Sequence, residues 1–140
     1  MVISLPVINI DKKSKKGYIY TKDLVDDAIN DSALQARLSA GSLWCEVVTN
    51  DENKEEKEFI IYELDANHLC GTITKIYWKD KKLFIDLVPY NYGDGKKLID
   101  LYNSGKHIRI LLKEVVTIRE SKELDNIIIA GFAWLKEKKW

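Results

Sequence analysis

The stretch that decides the fold is KHIRILLKE, residues 106–114. Its apolar centre predicts a β-strand from about His107 to Arg119. The apolar side chains of residues 98–102 would fall on one face of a helix, which predicts a short helix before this strand. Gly105 is well placed to end that helix. A helix, a glycine and then a long apolar strand therefore form the central unit of the predicted fold.

The composition predicts one globular domain, residues 1–140. Hydrophobic residues make up 46% and charged residues 31% of the chain, which is typical of a folded domain. A chain of 140 residues can bury a core without cross-links or metals. The 22 basic and 22 acidic side chains give a formal net charge of zero. A neutral chain has no general attraction to nucleic acid, so we expect no nucleic-acid partner.

The two cysteines, Cys45 and Cys70, form no paired metal motif. We expect both thiols to be free and buried, in a protein made in a reducing cytoplasm. The acidic run at residues 51–58 contains lysines and lacks the glycine of a calcium loop, so no metal or other cofactor is predicted. No secretory signal opens the sequence, and the longest apolar run, 127–135, is too short to span a membrane.

The rest of the pattern predicts an α+β fold. Thr21 can cap a first helix, a second covers about 33–39, and Asp94 can cap the third. Proline at position 6 suggests an edge or a bulge in the first strand. The predicted strands are 2–10, 42–49, 59–62, 70–78, 83–88, 107–119 and 126–135, with a turn at 79–82 joining the clearest hairpin. The prediction is an antiparallel sheet or partly closed β-barrel with two or three packed helices.

Segments in the same order resemble the prohead maturation proteases of tailed phages, serine enzymes with the herpesvirus assemblin-like fold. The segments are Lys16–Leu24, Cys45–Asn50, Ala66–Ile85, Gly93–Gly105 with the strand beyond it, and Ile129–Ala133. In the second of them the family has Gly-Glu-Leu, a variable residue, His and Pro. In the strand after Gly105 the family has serine, serine and arginine where this chain has Leu111, Leu112 and Lys113. The resemblance covers most of the chain and implies the prohead-protease fold.

The resemblance also implies that the hydrolytic groups are replaced. Acyl transfer by a serine needs a hydroxyl, a base and a group that orients the base. Position by position, the serine falls at Leu111, the histidine at Thr49 and the acidic partner at Ala133. A slip of one residue gives Leu112, Val48 and Trp134, which are no better suited. The chain is therefore expected to have no catalytic residues and to be no enzyme.

Other residues are possible replacements for the missing hydrolytic groups. Cys45 is a candidate displaced nucleophile, although an apolar-flanked cysteine is usually inert. His68 matches a family histidine outside the hydrolytic set, and a structural role is favoured for it. His107 is expected at the surface, and Ser104 at a helix end. An active maturation protease or hydrolase with a displaced nucleophile therefore stays open as an alternative.

Four aromatic residues at strand or chain ends are candidate interface anchors: Trp78, Tyr90, Tyr92 and Trp140. The alternative for each is that it closes the edge of the core. With the resemblance, they predict a structural protein of the virion, an auxiliary or decoration protein of the capsid. Its partners would be the major capsid protein or other head proteins, with a homo-oligomer left open. A prohead scaffold or assembly factor is the further alternative.

Overall fold

The computed structural model describes residues 1–10, 12–14, 17–50, 68–121 and 123–137. Within these ranges it contains six strands and three helices. In chain order they are β1 (Ile3–Asn9), α1 (Lys22–Ile29), α2 (Ser32–Ser39), β2 (Trp44–Asn50), β3 (Leu69–Lys79), β4 (Lys82–Pro89), α3 (Gly93–Asn103), β5 (Ile110–Ile118) and β6 (Leu124–Glu137). The predicted strand at 59–62 and the C-terminal Trp140 lie outside the described residues.

The described strands form one mixed sheet in the order β1-β4-β3-β2-β6-β5. The predicted α+β class is confirmed. The sheet differs from the prediction in one pairing, since β2 runs parallel to β6 while the other pairs are antiparallel. The edge strands β1 and β5 lie close together without pairing, so the sheet is not closed into a barrel. Pro6 lies on edge strand β1 and beside a register shift, as its missing N–H requires.

Local signals place the helices. The Thr21 side chain accepts a hydrogen bond from the Leu24 N–H and caps α1 as predicted. Asp31 caps α2 in the same way. The prediction that Asp94 caps α3 is wrong: Tyr92 is the N-cap residue and makes no side-chain cap bond. Asp94 lies in the first turn, where the helix dipole favours a carboxylate, and it pairs with Lys136 of β6 at 2.8 Å.

One hydrophobic core joins the sheet to all three helices. Phe132 and Trp134 of β6 are its largest fully buried side chains. Helix α3 reaches the sheet closely at Gly95, where an added Cβ would lie 2.4–2.7 Å from backbone atoms of Tyr90 and Cys70. Because backbone atoms cannot move aside as a flexible side chain can, only glycine fits at this crossing.

The predicted β3–β4 hairpin is confirmed. Lys79 pairs with Lys82 across a two-residue turn, and Asp80 takes the left-handed conformation with φ of 56°. Gly105, with φ of 73°, ends α3 at the predicted position. Among the described helices, none has both the length and the apolar character needed to cross a bilayer.

Candidate functional site

The pairing of β5, β6 and β2 places two of the three protease positions side by side. Leu111 of β5 lies directly opposite Ala133 of β6, and Ala133 lies opposite Glu46 of β2. Directly opposed residues point to the same face of a sheet, so these three side chains form one row. Leu111 is 7% exposed and Ala133 is fully buried. Neither carries a hydroxyl, thiol, imidazole or carboxylate, so neither can act as nucleophile or base.

Thr49 does not join this row. It lies opposite Lys136, three residues beyond the Glu46–Ala133 pair, which is about 10 Å along the strand. Because three is an odd number, Thr49 also points to the opposite face from Glu46. Val48, the position given by a slip of one residue, shares the face of Glu46. The structure therefore brings Leu111 and Ala133 together and leaves Thr49 outside the predicted constellation.

A buried ion pair lies next to Leu111 and Ala133. The Lys113 ammonium donates a hydrogen bond to Glu46 Oε2, and both side chains are at least nine-tenths buried. The two residues reach each other across β6, where Lys113 is opposite Gly131 and meets no side chain. Lys113 occupies the position of the arginine in the family's Ser-Ser-Arg motif. Glu46 occupies the position of the glutamate in the family's Gly-Glu-Leu motif. The two positions that match in charge therefore form an ion pair in the structure.

A second buried carboxylate lies on the other face of β5. Glu114 follows Lys113 and accepts a hydrogen bond from the Tyr20 hydroxyl. Burial raises the pKa of Tyr20 well above its ordinary value, and the adjacent Glu114 charge raises it further. This bond joins the segment before α1 to edge strand β5. The two charged residues in succession on β5 thus tie that strand to different parts of the molecule.

Cys45 lies in the core, on the opposite face of β2 from Glu46. It is fully buried. A hydrogen bond involving the Cys70 thiol raises the pKa of Cys45 well above its usual range, and burial acts in the same direction. The Cys70 thiol also lies 3.5 Å from the Cys45 carbonyl oxygen. Both thiols are free and buried, as predicted. A buried thiol with a raised pKa holds its proton at neutral pH and is a poor nucleophile.

Ser104, His107 and His68 are not members of this row. Ser104 follows α3 and its hydroxyl donates to the Asp100 carbonyl at 2.7 Å, in agreement with a helix end. His107 is exposed in the connection to β5. His68 is exposed just before β3, and its carbonyl accepts a 2.7 Å hydrogen bond from the Val47 N–H. Among the described residues, no three His, Cys, Asp or Glu side chains group in a way that could hold a metal ion.

The predicted aromatic anchors separate into two places. Trp78 is half-buried against the core and donates to Asp26 Oδ1 at 2.6 Å. Tyr90 and Tyr92 stack in parallel, with centroids 5.4 Å apart, where β4 leads into α3. The hairpin register puts Trp78 and Tyr90 at opposite ends of β3–β4, about 23 Å apart along the strands. Tyr92, 69% exposed, is the one of the three whose side chain is open to a partner.

Sequence reasoning missed the Glu46–Lys113 pair. A signal for it exists, since Glu46 is a lone charge among apolar neighbours and the adjacent charges Lys113 and Glu114 interrupt the apolar run 110–116 of a predicted strand. Residues of this type are rarely fully buried unless they are paired. The sequence does not say which charge meets which, because that depends on the parallel pairing of β2 with β6.

The backbone was compared with those of solved structures. One match is the capsid assembly protease gp21 of bacteriophage T4, with a TM-score of 0.70. The chain has a phage prohead-protease-like fold. The two sequences are 12% identical, and the match covers 96% of this chain and 81% of the T4 protein. The predicted fold resemblance is thus confirmed from the backbone. No family model matches this sequence. No curated protein matches it significantly.

Proposed function

We propose that this chain is a non-catalytic, capsid-related structural protein of a tailed phage. Its most concrete form is an auxiliary or decoration protein that is made in the host cytoplasm and ends in the virion. The observation that carries the proposal is the row Leu111–Ala133–Glu46 within a prohead-protease-like fold. The framework of the resembled enzyme is present, while the aligned serine and acidic positions hold Leu111 and Ala133, whose side chains carry no reactive group.

The ion pair beside this row supports the same proposal. A hydrolytic centre needs polar groups that can reach a substrate, and Lys113 and Glu46 are instead buried and bonded to each other. Breaking such a pair is costly, because it leaves an unpaired charge in the interior. Each charge therefore serves as the buried partner of the other, and neither is exposed to a substrate. The proposed partners are the major capsid protein or other head proteins.

Tyr92 offers a direct test of capsid binding. Purified protein is added to mature heads that lack it, and the bound fraction is measured by co-sedimentation. Saturable binding is expected, and Tyr92→Ser should weaken it about tenfold, as loss of an exposed aromatic anchor does. Tyr102→Ser, near the far end of the helix that Tyr92 precedes and 40% exposed, is the matched control. Absence of saturable binding to heads would count against the decoration role.

A fluorophosphonate probe separates this proposal from the hydrolase alternative. The folded protein is expected to take up no label, because the aligned serine position holds Leu111. Stoichiometric labelling that disappears on unfolding would identify an active serine and contradict the proposal. A known serine hydrolase in the same reaction is the control for the probe.

A further inference from the structure

The outer face of the β1–β4–β3 half of the sheet carries an aromatic and basic cluster. Tyr77 and Phe84 lie opposite each other and stack, with centroids 5.9 Å apart and planes 17° apart. Both are half-buried and neither belongs to the hydrophobic core. Strand alternation puts Lys75, Lys79 and Lys82 on the same face, and all three are exposed. These five residues are called the aromatic–lysine face.

The lysines of this face are held in place by the rings. Lys75 Nζ lies 4.9 Å from the centroid of Tyr77, and Lys79 Nζ lies 6.0 Å from that of Phe84. Such cation–π contacts restrict the long lysine side chains before any partner arrives, which lowers the entropy cost of binding. The carboxylate on this face is Asp86, and its Oδ1 already accepts a 2.6 Å hydrogen bond from Ser4. The face therefore presents an excess of preorganised positive charge.

We propose that the aromatic–lysine face docks an acidic, extended segment of a partner protein. Lys75 and Lys79 are four residues apart on β3, about 13 Å, so carboxylates four residues apart in an extended segment would match them. The five residues lie on two neighbouring strands, β3 and β4, whose axes are about 5 Å apart. That footprint suits a single segment and is far below the ~800 Å² per partner of a standard protein–protein interface.

A single-stranded nucleic acid fits this face less well. Bases bind such surfaces by stacking on open aromatic rings, and the two rings here have lysine ammonium groups over them. A base could stack only after displacing a lysine. A carboxylate instead meets the ammonium groups where they already lie.

The inference deepens the proposed capsid role, on which it rests for the class of partner. It is tested on the full chain by an NMR titration with octaglutamate as the probe, at low salt. Backbone amide signals of the aromatic–lysine face are expected to shift, and raising the salt should weaken the binding. Lys75→Gln with Lys79→Gln should weaken it about tenfold or more. The control is Lys96→Gln with Lys106→Gln, two exposed lysines on and just after α3, which removes the same charge elsewhere and should change the affinity less than twofold.

Each remaining outcome has one meaning. Equal shifts with octaglutamine, an equal loss in the control variant, or no shift at all would overturn the proposed docking face. Tighter binding of an eight-residue oligothymidylate than of octaglutamate would overturn it in favour of a nucleic-acid surface. If the protein binds mature heads but shows no octaglutamate binding, the proposed docking face is rejected and the capsid role stands. If the protein binds octaglutamate but is absent from heads, the capsid role is rejected and the docking face stands.

Discussion

Replacing Lys113 by methionine removes one partner of the Glu46–Lys113 pair and leaves the Glu46 carboxylate buried. The side chains are 5% and 7% exposed, so water cannot take the place of the lost ammonium group. Breaking a buried pair in this way costs about 3–5 kcal/mol of unfolding free energy. With a urea dependence of about 2 kcal/mol per molar for a domain of this size, the unfolding midpoint should fall by about 1.5–2.5 M.

The double variant Glu46→Leu with Lys113→Met separates loss of the pair from loss of packing. Replacing both charges with apolar side chains is often neutral or stabilising. We therefore expect it to lie within about 1 kcal/mol of the parent protein or above it. Equilibrium unfolding in urea, followed by tryptophan fluorescence, measures all the variants, since Trp134 is fully buried.

Lys136→Met is the matched control, because Lys136 pairs with Asp94 at a site where both side chains are more than a fifth exposed. Its cost should not exceed about 1 kcal/mol. If Lys113→Met lowers the free energy of unfolding no more than Lys136→Met does, the buried pair does not have the assigned role. The same conclusion follows if the double variant is as unstable as Lys113→Met alone.

Three further predictions test the packing and the buried polar groups. Gly95→Ala should destabilise the protein by about 1–3 kcal/mol or prevent folding, because the added Cβ would lie 2.4–2.7 Å from backbone atoms. Gly131→Ala is the control, since its added Cβ would lie 3.9 Å from the nearest atom, and it should lower the stability measured by thermal unfolding far less. Tyr20→Phe removes the hydroxyl bonded to buried Glu114 and should cost about 1–3 kcal/mol in urea. Because the pKa of Tyr20 is raised in the folded state, the parent protein should lose stability as the pH rises above 10.0, the ordinary pKa of tyrosine. The Tyr20→Phe variant should lose less stability over the same pH range. An equal loss in both proteins would contradict the burial assigned to Tyr20. Cys45 should react with iodoacetamide only after unfolding, and fast labelling of the native protein, located by peptide mass spectrometry, would support a displaced nucleophile.

Local signals predicted much of the fold. Thr21 and Gly105 mark helix ends through bonds and backbone angles that involve only near neighbours, and both are confirmed. The β3–β4 hairpin is likewise local, since its register follows from the turn. Asp94 was misassigned as a cap because an acidic residue also suits the first turn of a helix, where this one lies.

Long-range pairing could not be predicted in the same way. The β2–β6 ladder joins segments about ninety residues apart in the sequence, and alternation of apolar residues does not reveal strand direction. That ladder decides that Ala133 meets Glu46 and that Thr49 points to the other face. The position-by-position comparison predicted one constellation of Leu111, Thr49 and Ala133, of which the structure brings together only Leu111 and Ala133. It did not reveal the Glu46–Lys113 pair.

The proposed capsid role is tested most directly by quantitative mass spectrometry of purified mature virions from the proposed phage source. The intact protein is expected in many copies, at a fixed ratio to the major capsid protein. Its presence in precursor heads but absence from mature ones would indicate an assembly factor. Self-cleaved fragments of the chain, with head proteins left unprocessed when it is deleted, would indicate a working protease and contradict the central claim.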